Sequence, residues 1–243
     1  MRALVALVST LALAACNMAA EARKGEVAEA SGSGTQRSYA TNNFDSVSLG
    51  GHHNVVVQVG PGHSVRAEGD ERELERLEIR TDNGRLHIGT KRGSKWSFND
   101  SSDVTVFVTL PALTRAAIGG SGDMKIDAVQ GRSFDAAIGG SGNMEIGSLQ
   151  VDEAAFSIAG SGNIRARGAA GTARVKVAGS GDVDASAVES RTADVSVLGS
   201  GDVRVRASQA ANVSIMGSGD VTVGGEGRCS VKTMGSGEVR CSA

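Results

Sequence analysis

Residues 120–143 read GSGDMKIDAVQGRSFDAAIGGSGN and contain two copies of a tetrapeptide, Gly-Ser-Gly followed by an acidic residue or its amide. Seven copies occur in the second half of the chain, and their first glycines are separated by 20, 20, 19, 20, 18 and 18 residues. Repeats of this length are typical of solenoids, in which a coil buries its apolar side chains only by stacking on its neighbours. The first glycines of the copies are Gly120, Gly140, Gly160, Gly179, Gly199, Gly217 and Gly235.

Apolar and polar residues alternate on both sides of each tetrapeptide, as in half-buried strands. Val175 and Val177 precede one turn, and Val183 and Ala185 follow it. Each coil is therefore predicted to contain two short strands, joined at one end by the glycine turn and at the other by a looser bend. The pattern predicts an all-β, single-domain parallel β-solenoid with in-register coils of about 18–20 residues. The general preference for right-handed parallel crossovers favours a right-handed coil.

A row of charged residues supports this register. It occupies the position between the two apolar residues that follow each turn, and over the first five turns its charge alternates in sign from coil to coil. In-register stacking would place these side chains about 4.8 Å apart, where opposite charges attract. Each exposed pair contributes at most about 1 kcal/mol, so the row selects the register rather than supplying stability. Its members are Lys125, Glu145, Arg165, Asp184 and Arg204.

The glycines and carboxylates of the turns are interpreted as structural. Glycine suits a sharp corner with positive φ, and the following Asp or Asn can accept hydrogen bonds from turn amides. A weak divalent-cation site along the turn carboxylates is the alternative, with Asp182, Asp202 and Asp220 as its candidate ligands. The spacing does not match calcium-binding nonapeptide repeats, so neither a metal nor a cofactor is expected.

The first 16 residues have the pattern of a secretion signal. Arg2 precedes an apolar run that is too short to span a bilayer, and the segment ends in Leu13-Ala14-Ala15-Cys16. Small residues before a cysteine resemble the lipobox of bacterial lipoproteins, which implies cleavage after residue 15 and lipidation of Cys16. The lipid would anchor the chain to the cell envelope. Asn17 differs from the aspartate that retains lipoproteins at the inner membrane, which favours the outer membrane. An ordinary signal peptide is the alternative.

The rest of the chain divides by composition into a tether and one domain. Residues 16–43 are polar and rich in Gly, Ser and Ala, which predicts a flexible tether. Residues 44–243 are predicted to form the solenoid domain, with irregular coils over 44–118 acting as a cap and regular repeats over 119–243. A separate small domain at 44–118 is the alternative. Within this region Asn83-Gly84 predicts a hairpin turn, and residues 70–76 predict one helical turn.

Charge and cysteine content limit the partners and predict one cross-link. Without Arg2 the chain has 24 basic and 27 acidic residues, a net charge of −3, which gives no reason to expect a nucleic-acid partner. Two cysteines besides Cys16 lie on inward rows of the last coils, Cys229 and Cys241. In an exported chain they are predicted to form a disulfide. Two small buried thiols are the alternative.

The order of these features resembles a known family. The segments concerned are 44–47, the valine strand near residue 57, 86–88, and 104–113 with its Pro-x-Leu ending, followed by the glycine turns. Together they are similar to the autotransporter adhesin head domain called the GIN domain, a domain of unknown function. The resemblance covers residue 44 to the C-terminus. It implies a parallel β-solenoid on exported or lipid-anchored bacterial proteins, no established catalytic residues, and a role in adhesion.

The predicted function is a non-catalytic module that presents a rigid surface to a protein or glycan partner in the cell envelope. The alternative is a polysaccharide-active β-helix enzyme. Such enzymes need carboxylates or a base in a cleft, with aromatic platforms for sugar rings. The aromatic residues of the repeats, Phe134 and Phe156, both lie on rows predicted to point inward. Trp96 and Phe98, in a basic loop, are interpreted as packing on the cap, with partner contact as the alternative.

Overall fold

A computed structural model describes residues 25–91, 93 and 104–242, and within these residues the fold is almost entirely β. The single helix described is α1, Glu71–Arg76. The described strands are β1 Glu26–Val27, β2 Ala30–Ser31, β3 Gln36–Tyr39, β4 Ser46–Leu49, β5 Asn54–Val59, β6 Ser64–Glu68, β7 Leu77–Asp82, β8 Arg85–Thr90, β9 Thr105–Leu110, β10 Arg115–Ile118, β11 Met124–Ile138, β12 Asn143–Gly160, β13 Asn163–Gly179, β14 Val183–Gly199, β15 Val203–Arg206, β16 Ala210–Gly217, β17 Val221–Gly224, β18 Arg228–Gly235 and β19 Val239–Ser242.

From β10 onward the strands stack in parallel, and the predicted register is confirmed. Equivalent residues of successive coils are paired, as in Ile164 with Val183, Val183 with Val203, and Val203 with Val221. Lys125 pairs with Glu145 in the same way, so the charged residues form one column. The all-β parallel solenoid predicted from the glycine turns is therefore the observed architecture.

The coils have more inward-facing rows than the two-strand prediction allowed. Strands β11 to β14 run through the bend, where Leu149 and Val151 add a further buried pair between the two predicted strands. In the 18-residue coil that contains β15 and β16, Ala207 is the buried residue at this place. Shortening the bend thus accounts for the shorter repeats, while the glycine corner stays unchanged.

A single hydrophobic core runs along the inside of the stack. It includes residues from the irregular part, such as Val57 and Val106, and from the repeats, such as Val177 and Val197. Phe134 and Phe156 are fully buried, as expected for inward rows. Full burial of an aliphatic or aromatic side chain contributes about 1.5–3 kcal/mol, so the stacked rows provide the main stabilisation.

The first coils do not stack in sequence order. Strand β4 lies between β8 and β10, and β5 lies between β9 and β11. The coil made of β4 and β5 is therefore the middle one of the first three. The next coil in sequence, made of β8 and β9, lies on one side of it. The chain then crosses to the opposite side, where β10 and β11 begin the regular stack. Residues 111–114 make this crossing, and Leu113 is buried within it.

Antiparallel strands cover the N-terminal end of the stack. Strand β6 pairs with β9, and β7 forms a hairpin with β8. The predicted Asn83-Gly84 turn is confirmed, since both residues have positive φ, 47° and 75°. The predicted helical turn is α1, whose first amides are capped by Asp70. At six residues, α1 is too short to cross a membrane, and the described residues contain no other helix.

The structure differs from the predicted tether over residues 25–39. Strand β3 pairs antiparallel with β6, and β1 pairs with β7, so this polar segment extends the cap. Tyr39 is buried against the core. The segment is polar because the residues of β1 and β2 are exposed and β3 buries only Tyr39.

Candidate functional site

The glycine corners form one continuous hydrogen-bonded stack. The carbonyl oxygen of Gly140 accepts the amide hydrogens of Ser161 at 2.9 Å and Gly162 at 3.1 Å, both from the next coil. The stack begins one coil before the first Gly-Ser-Gly, because Gly51 accepts from Ser121 and Gly122 in the same way, at 2.9 and 3.0 Å. This arrangement holds the side chains that follow each corner at a fixed spacing.

Close backbone approach explains the two glycines of each corner. A Cβ atom on Gly160 would lie 2.2 Å from the carbonyl oxygen of Gly140, and one on Gly162 would lie 2.1 Å from that of Gly142. Gly160 also has a φ of +146°, which side-chain-bearing residues rarely adopt. Any larger residue at either place would push successive coils apart.

The acidic and amide residues of the corners connect the coils through their side chains, and we call them the corner column. Oδ1 of Asp182 accepts the amide hydrogen of Asp202 at 2.8 Å, and Oδ1 of Asp202 accepts that of Asp220 at 2.9 Å. Oδ1 of Asp220 accepts the amide hydrogen of Glu238 at 2.9 Å, so all three weak metal candidates cap the next coil. Within the described residues, no group of three His, Cys, Asp or Glu side chains is placed to hold a metal ion. The column comprises Asp123, Asn143, Asn163, Asp182, Asp202, Asp220 and Glu238.

Beside it runs a second column of alternating charge, the charge column, made of Lys125, Glu145, Arg165, Asp184 and Arg204. Nε of Arg165 lies 3.7 Å from Oδ2 of Asp184, one coil away. The hydroxyl of Ser186 donates to Oδ1 of Asp184 at 2.6 Å. This hydrogen bond, with further contributions from Arg165 and Arg204, lowers the pKa of the Asp184 carboxyl below its ordinary value. The charge column therefore carries fixed charges on rigid strands.

A shallow groove of about 480 Å³ lies between the corner column and the charge column. Its walls offer carboxylate, amide, ammonium and guanidinium groups, repeated at the spacing of the coils. A polar polymer or a protein surface could bridge several coils by hydrogen bonds and ion pairs. The residues that line it are Asp123, Met124, Lys125, Asn143, Met144, Glu145, Asn163, Ile164, Arg165, Asp182, Asp184 and Arg204.

A second groove, of about 410 Å³, was not predicted from the sequence. Ala155 stacks between Asp135 and Arg174, and its small side chain leaves a gap in this outward row. Arg174 turns to Glu153, with 2.8 Å between Nη1 and Oε2, and Arg115 binds Asp135 on the other side of the gap. The sequence contains a signal for this groove. The residue five places before the first glycine of each corner is charged in most coils, but in the coil that ends at Gly160 it is Ala155.

The last coil contains a disulfide between Cys229 and Cys241, with a Cα–Cα distance of 6.6 Å. Cys229 continues the buried row of Ala211, and Cys241 continues that of Val223. The bond therefore joins β18 to β19 within one terminal coil, rather than joining two adjacent coils. Cys16, Trp96 and Phe98 lie outside the described residues.

Three solved structures resemble this fold. A "putative adhesin" from Bacteroides fragilis has a TM-score of 0.78 and 20% identity, covering 85% of this chain and 95% of its own. A "putative lipid binding protein" from Parabacteroides distasonis has a TM-score of 0.69 and 24% identity, covering 88% and 98%. A "putative adhesin" from Parabacteroides merdae has a TM-score of 0.68 and 19% identity, covering 86% and 95%. At these identities the likeness concerns the fold.

A search of curated protein sequences gives no significant match. A family model does match: the one described as "Putative auto-transporter adhesin, head GIN domain" covers residues 43–227. This span includes the non-sequential first coils, the crossing at 111–114 and all but the last of the glycine corners. The solenoid with its stacked Gly-Ser-Gly corners is thus the fold of a recognised family, and the chain belongs to the autotransporter adhesin head GIN domain family.

Proposed function

We propose that this protein is a non-catalytic adhesion or envelope-binding module that uses the groove between the corner column and the charge column to hold a polar polymer or a protein surface. The observation that carries the proposal is the geometry of that groove. Its side chains stand on in-register strands, so the spacing of their backbone positions is set before a partner arrives, and little backbone conformational entropy is lost on binding. The two adhesin-named relatives share this solenoid.

The chemistry of the groove favours recognition over catalysis. Asp182 accepts a hydrogen bond from the next coil, and Asp184 faces a cation of the charge column. Carboxylates engaged in this way are poor general acids or bases, because catalysis needs a group whose proton is exchanged near neutral pH. The lowered pKa of Asp184 keeps that carboxyl ionised at neutral pH.

The proposal includes export and a lipid anchor at Cys16, with the outer membrane as the site. The signal-like segment ending at Cys16 supports this, and so does the adhesin-type family. The first strand that the structure describes begins at Glu26, so nine residues, 17–25, lie between Cys16 and that strand. Fully extended, they reach about 30 Å, so the cap end of the solenoid would stay near the membrane.

The anchor can be tested by expressing the full chain in a bacterium and separating membranes with a detergent that forms two phases. We expect the wild-type chain in the detergent phase, with a mass that shows acylation, and the Cys16→Ala chain unacylated. A wild-type chain that is cleaved, unacylated and found in the aqueous phase would contradict the anchor.

The binding role can be tested with residues 17–243 on a glycan array and on envelope extracts. The variant Lys125→Ala with Arg204→Ala removes two exposed cations of the charge column. Its matched control, Arg132→Ala with Lys176→Ala, removes two exposed cations elsewhere. We expect about a tenfold loss of binding for the first variant only. Equal binding by both variants would exclude the groove as the contact surface.

A further inference from the structure

The last coil presents an open strand edge. Strand β18 pairs with β16 and β19 with β17, and within the described residues neither strand has a partner on its other side. In a parallel sheet, the N–H and C=O groups of one residue both point to the strand on one side, and those of the next residue both point to the strand on the other side. The amide of Arg228 donates to the carbonyl of Gln209 in the stack, 2.9 Å away. The backbone groups of Cys229, Val231 and Thr233 therefore point to the open edge, which is a template for a further strand.

The same coil exposes an apolar side chain that the interior coils bury. Val231 is 44% exposed, whereas Val213, its equivalent one coil earlier, is 2% exposed. Met234 is 68% exposed but belongs to an outward row, since its equivalents Leu198 and Met216 are also exposed, so Val231 is the residue that marks the edge. A strand added to this edge would cover Val231 as β18 covers Val213. The edge therefore favours a partner with an apolar residue at every second position.

The outward positions of the edge are basic. Arg228 and Lys232 are exposed on β18, and Arg240 is exposed on β19 beside Glu238. Side chains of an added strand would stand about 4.8 Å from these cations, where opposite charges attract and like charges repel. Two copies of this chain meeting edge to edge would bring their own cations together. The charges thus favour an acidic strand from another protein over a second copy.

The disulfide gives this edge a defined shape. Cys229 and Cys241 join β18 to β19 directly at the open end. A cross-link between the two strands limits their fraying, so the template is formed before a partner binds, which lowers the entropic cost of binding. The edge lies beyond residues 43–227, which the family model matches.

We propose that the edge formed by β18 and β19 binds an extended polypeptide from another protein, in which acidic and apolar residues alternate. The partner adds as one more strand, with main-chain hydrogen bonds to residues 229–233 and acidic side chains next to Arg228 and Lys232. This mode of binding is strand addition. It uses the end of the solenoid, and it is independent of the groove on its side.

The probe is a fluorescent peptide of alternating glutamate and valine, matched to the eight residues of β18, and the protein is oxidised chain 17–243. Lysine in place of glutamate gives the charge control, and a scrambled order gives the pattern control. Fluorescence anisotropy should show the acidic alternating peptide binding about tenfold more tightly than either control. Equal or absent binding of the three peptides would overturn the proposal.

Two variants locate the binding. Arg228→Glu with Lys232→Glu should reverse the preference, so that the lysine peptide binds more tightly, while Lys176→Glu on an interior coil should change nothing.

Thr233→Pro removes one backbone donor of the open edge without removing a hydrogen bond to β16, and it should weaken binding of the acidic peptide about tenfold. An unchanged preference in the charge-reversed variant would refute the site. So would sedimentation showing a dimer of the unmodified chain that Thr233→Pro abolishes, because the occupant would then be a second copy.

Discussion

A Cβ atom on Gly140 would lie 2.2 Å from the carbonyl oxygen of Gly120, the equivalent residue one coil earlier. That oxygen also accepts hydrogen bonds from Ser141 at 2.9 Å and Gly142 at 3.1 Å, so it cannot move aside without losing both. The neighbouring Gly139 is different, since a Cβ there would meet nothing nearer than 3.8 Å. Gly140 therefore has no room for a side chain, whereas the adjacent Gly139 has room for a methyl group.

Gly140→Ala is expected to lower the free energy of unfolding by about 3 kcal/mol, because the added methyl group separates two coils at the corner. Gly139→Ala should be neutral or stabilise by about 0.5 kcal/mol through the unfolded state, and the equivalent residues Ala159 and Ala178 are already alanine. Urea denaturation measures both. If the two variants lose the same stability, close packing is not what requires glycine at the corner.

In the corner column, Asp202→Ala should cost about 1 kcal/mol, because the amide of Asp220 loses its acceptor. Asp202→Asn keeps an acceptor and removes a charge placed between Asp182 and Asp220. It should therefore be neutral or stabilising, and Asn163 already occupies an equivalent position. Urea denaturation at pH 7 compares the three chains. A loss of stability in the Asn variant as large as in the Ala variant would mean that the charge itself is required.

Calcium should leave the melting temperature and the calorimetric baseline of the unmodified chain unchanged, since the corner carboxylates already accept hydrogen bonds from the next coil. Differential scanning and titration calorimetry provide the measurement, with Asp202→Asn as the comparison. A calcium-dependent rise in melting temperature that this variant abolishes would show that the corner column binds cations.

Asp184 should contribute to the acid sensitivity of the fold. In the folded protein the pKa of Asp184 is lowered from its ordinary value of 3.8, chiefly by the hydrogen bond from Ser186. The ionised carboxylate therefore stabilises the fold at pH values above the pKa that the group has in the unfolded chain. That effect is lost as the pH falls through the folded pKa. Between pH 7 and pH 3 the melting temperature of Asp184→Asn should fall less steeply than that of the unmodified chain. Ser186→Ala should give an intermediate slope, and identical slopes for all three would contradict the assignment.

The regular half of the fold was predictable because each coil repeats the same local information. A register error of one residue would move the row of Val183 and Val203 from the core to solvent, so the apolar rows and the charge column fix one alignment. The non-sequential order of the first coils was not predictable. Strands β4 and β8 have the same alternating pattern, and nothing local says which of them meets β10.

The two other differences also arise from contacts distant in sequence. The strands within 25–39 are polar, and β3 is ordered by pairing with β6, about 30 residues later. The second groove depends on the position of Ala155 between Asp135 and Arg174 in an outward row. The apolar pattern does not include this row, so the gap is seen only when the outward residues of successive coils are aligned. The groove beside the charge column follows directly from the predicted register.

Tyr39 tests whether residues 36–39 belong to the fold. Tyr39→Ala should lower the free energy of unfolding by about 3 kcal/mol, as for other buried aromatic residues. Tyr39→Phe should be neutral or slightly stabilising, because the buried hydroxyl has no hydrogen-bond partner within the described residues. Chemical denaturation gives both values. If this segment were a free tether, neither substitution would change stability.

The disulfide should be formed in the exported protein, so unreduced chain 17–243 should show no titratable thiol after denaturation. Reduction opens a link between residues 12 apart in sequence and should destabilise the terminal coil by up to about 3 kcal/mol. Because each coil contacts mainly its neighbours, faster hydrogen exchange should be confined to 228–242 and leave β12 to β14 protected. The Cys229→Ser, Cys241→Ser chain should match the reduced protein. Two free thiols in the unreduced chain would contradict the bond, and faster exchange throughout the stack would show that the terminal coil stabilises all the others.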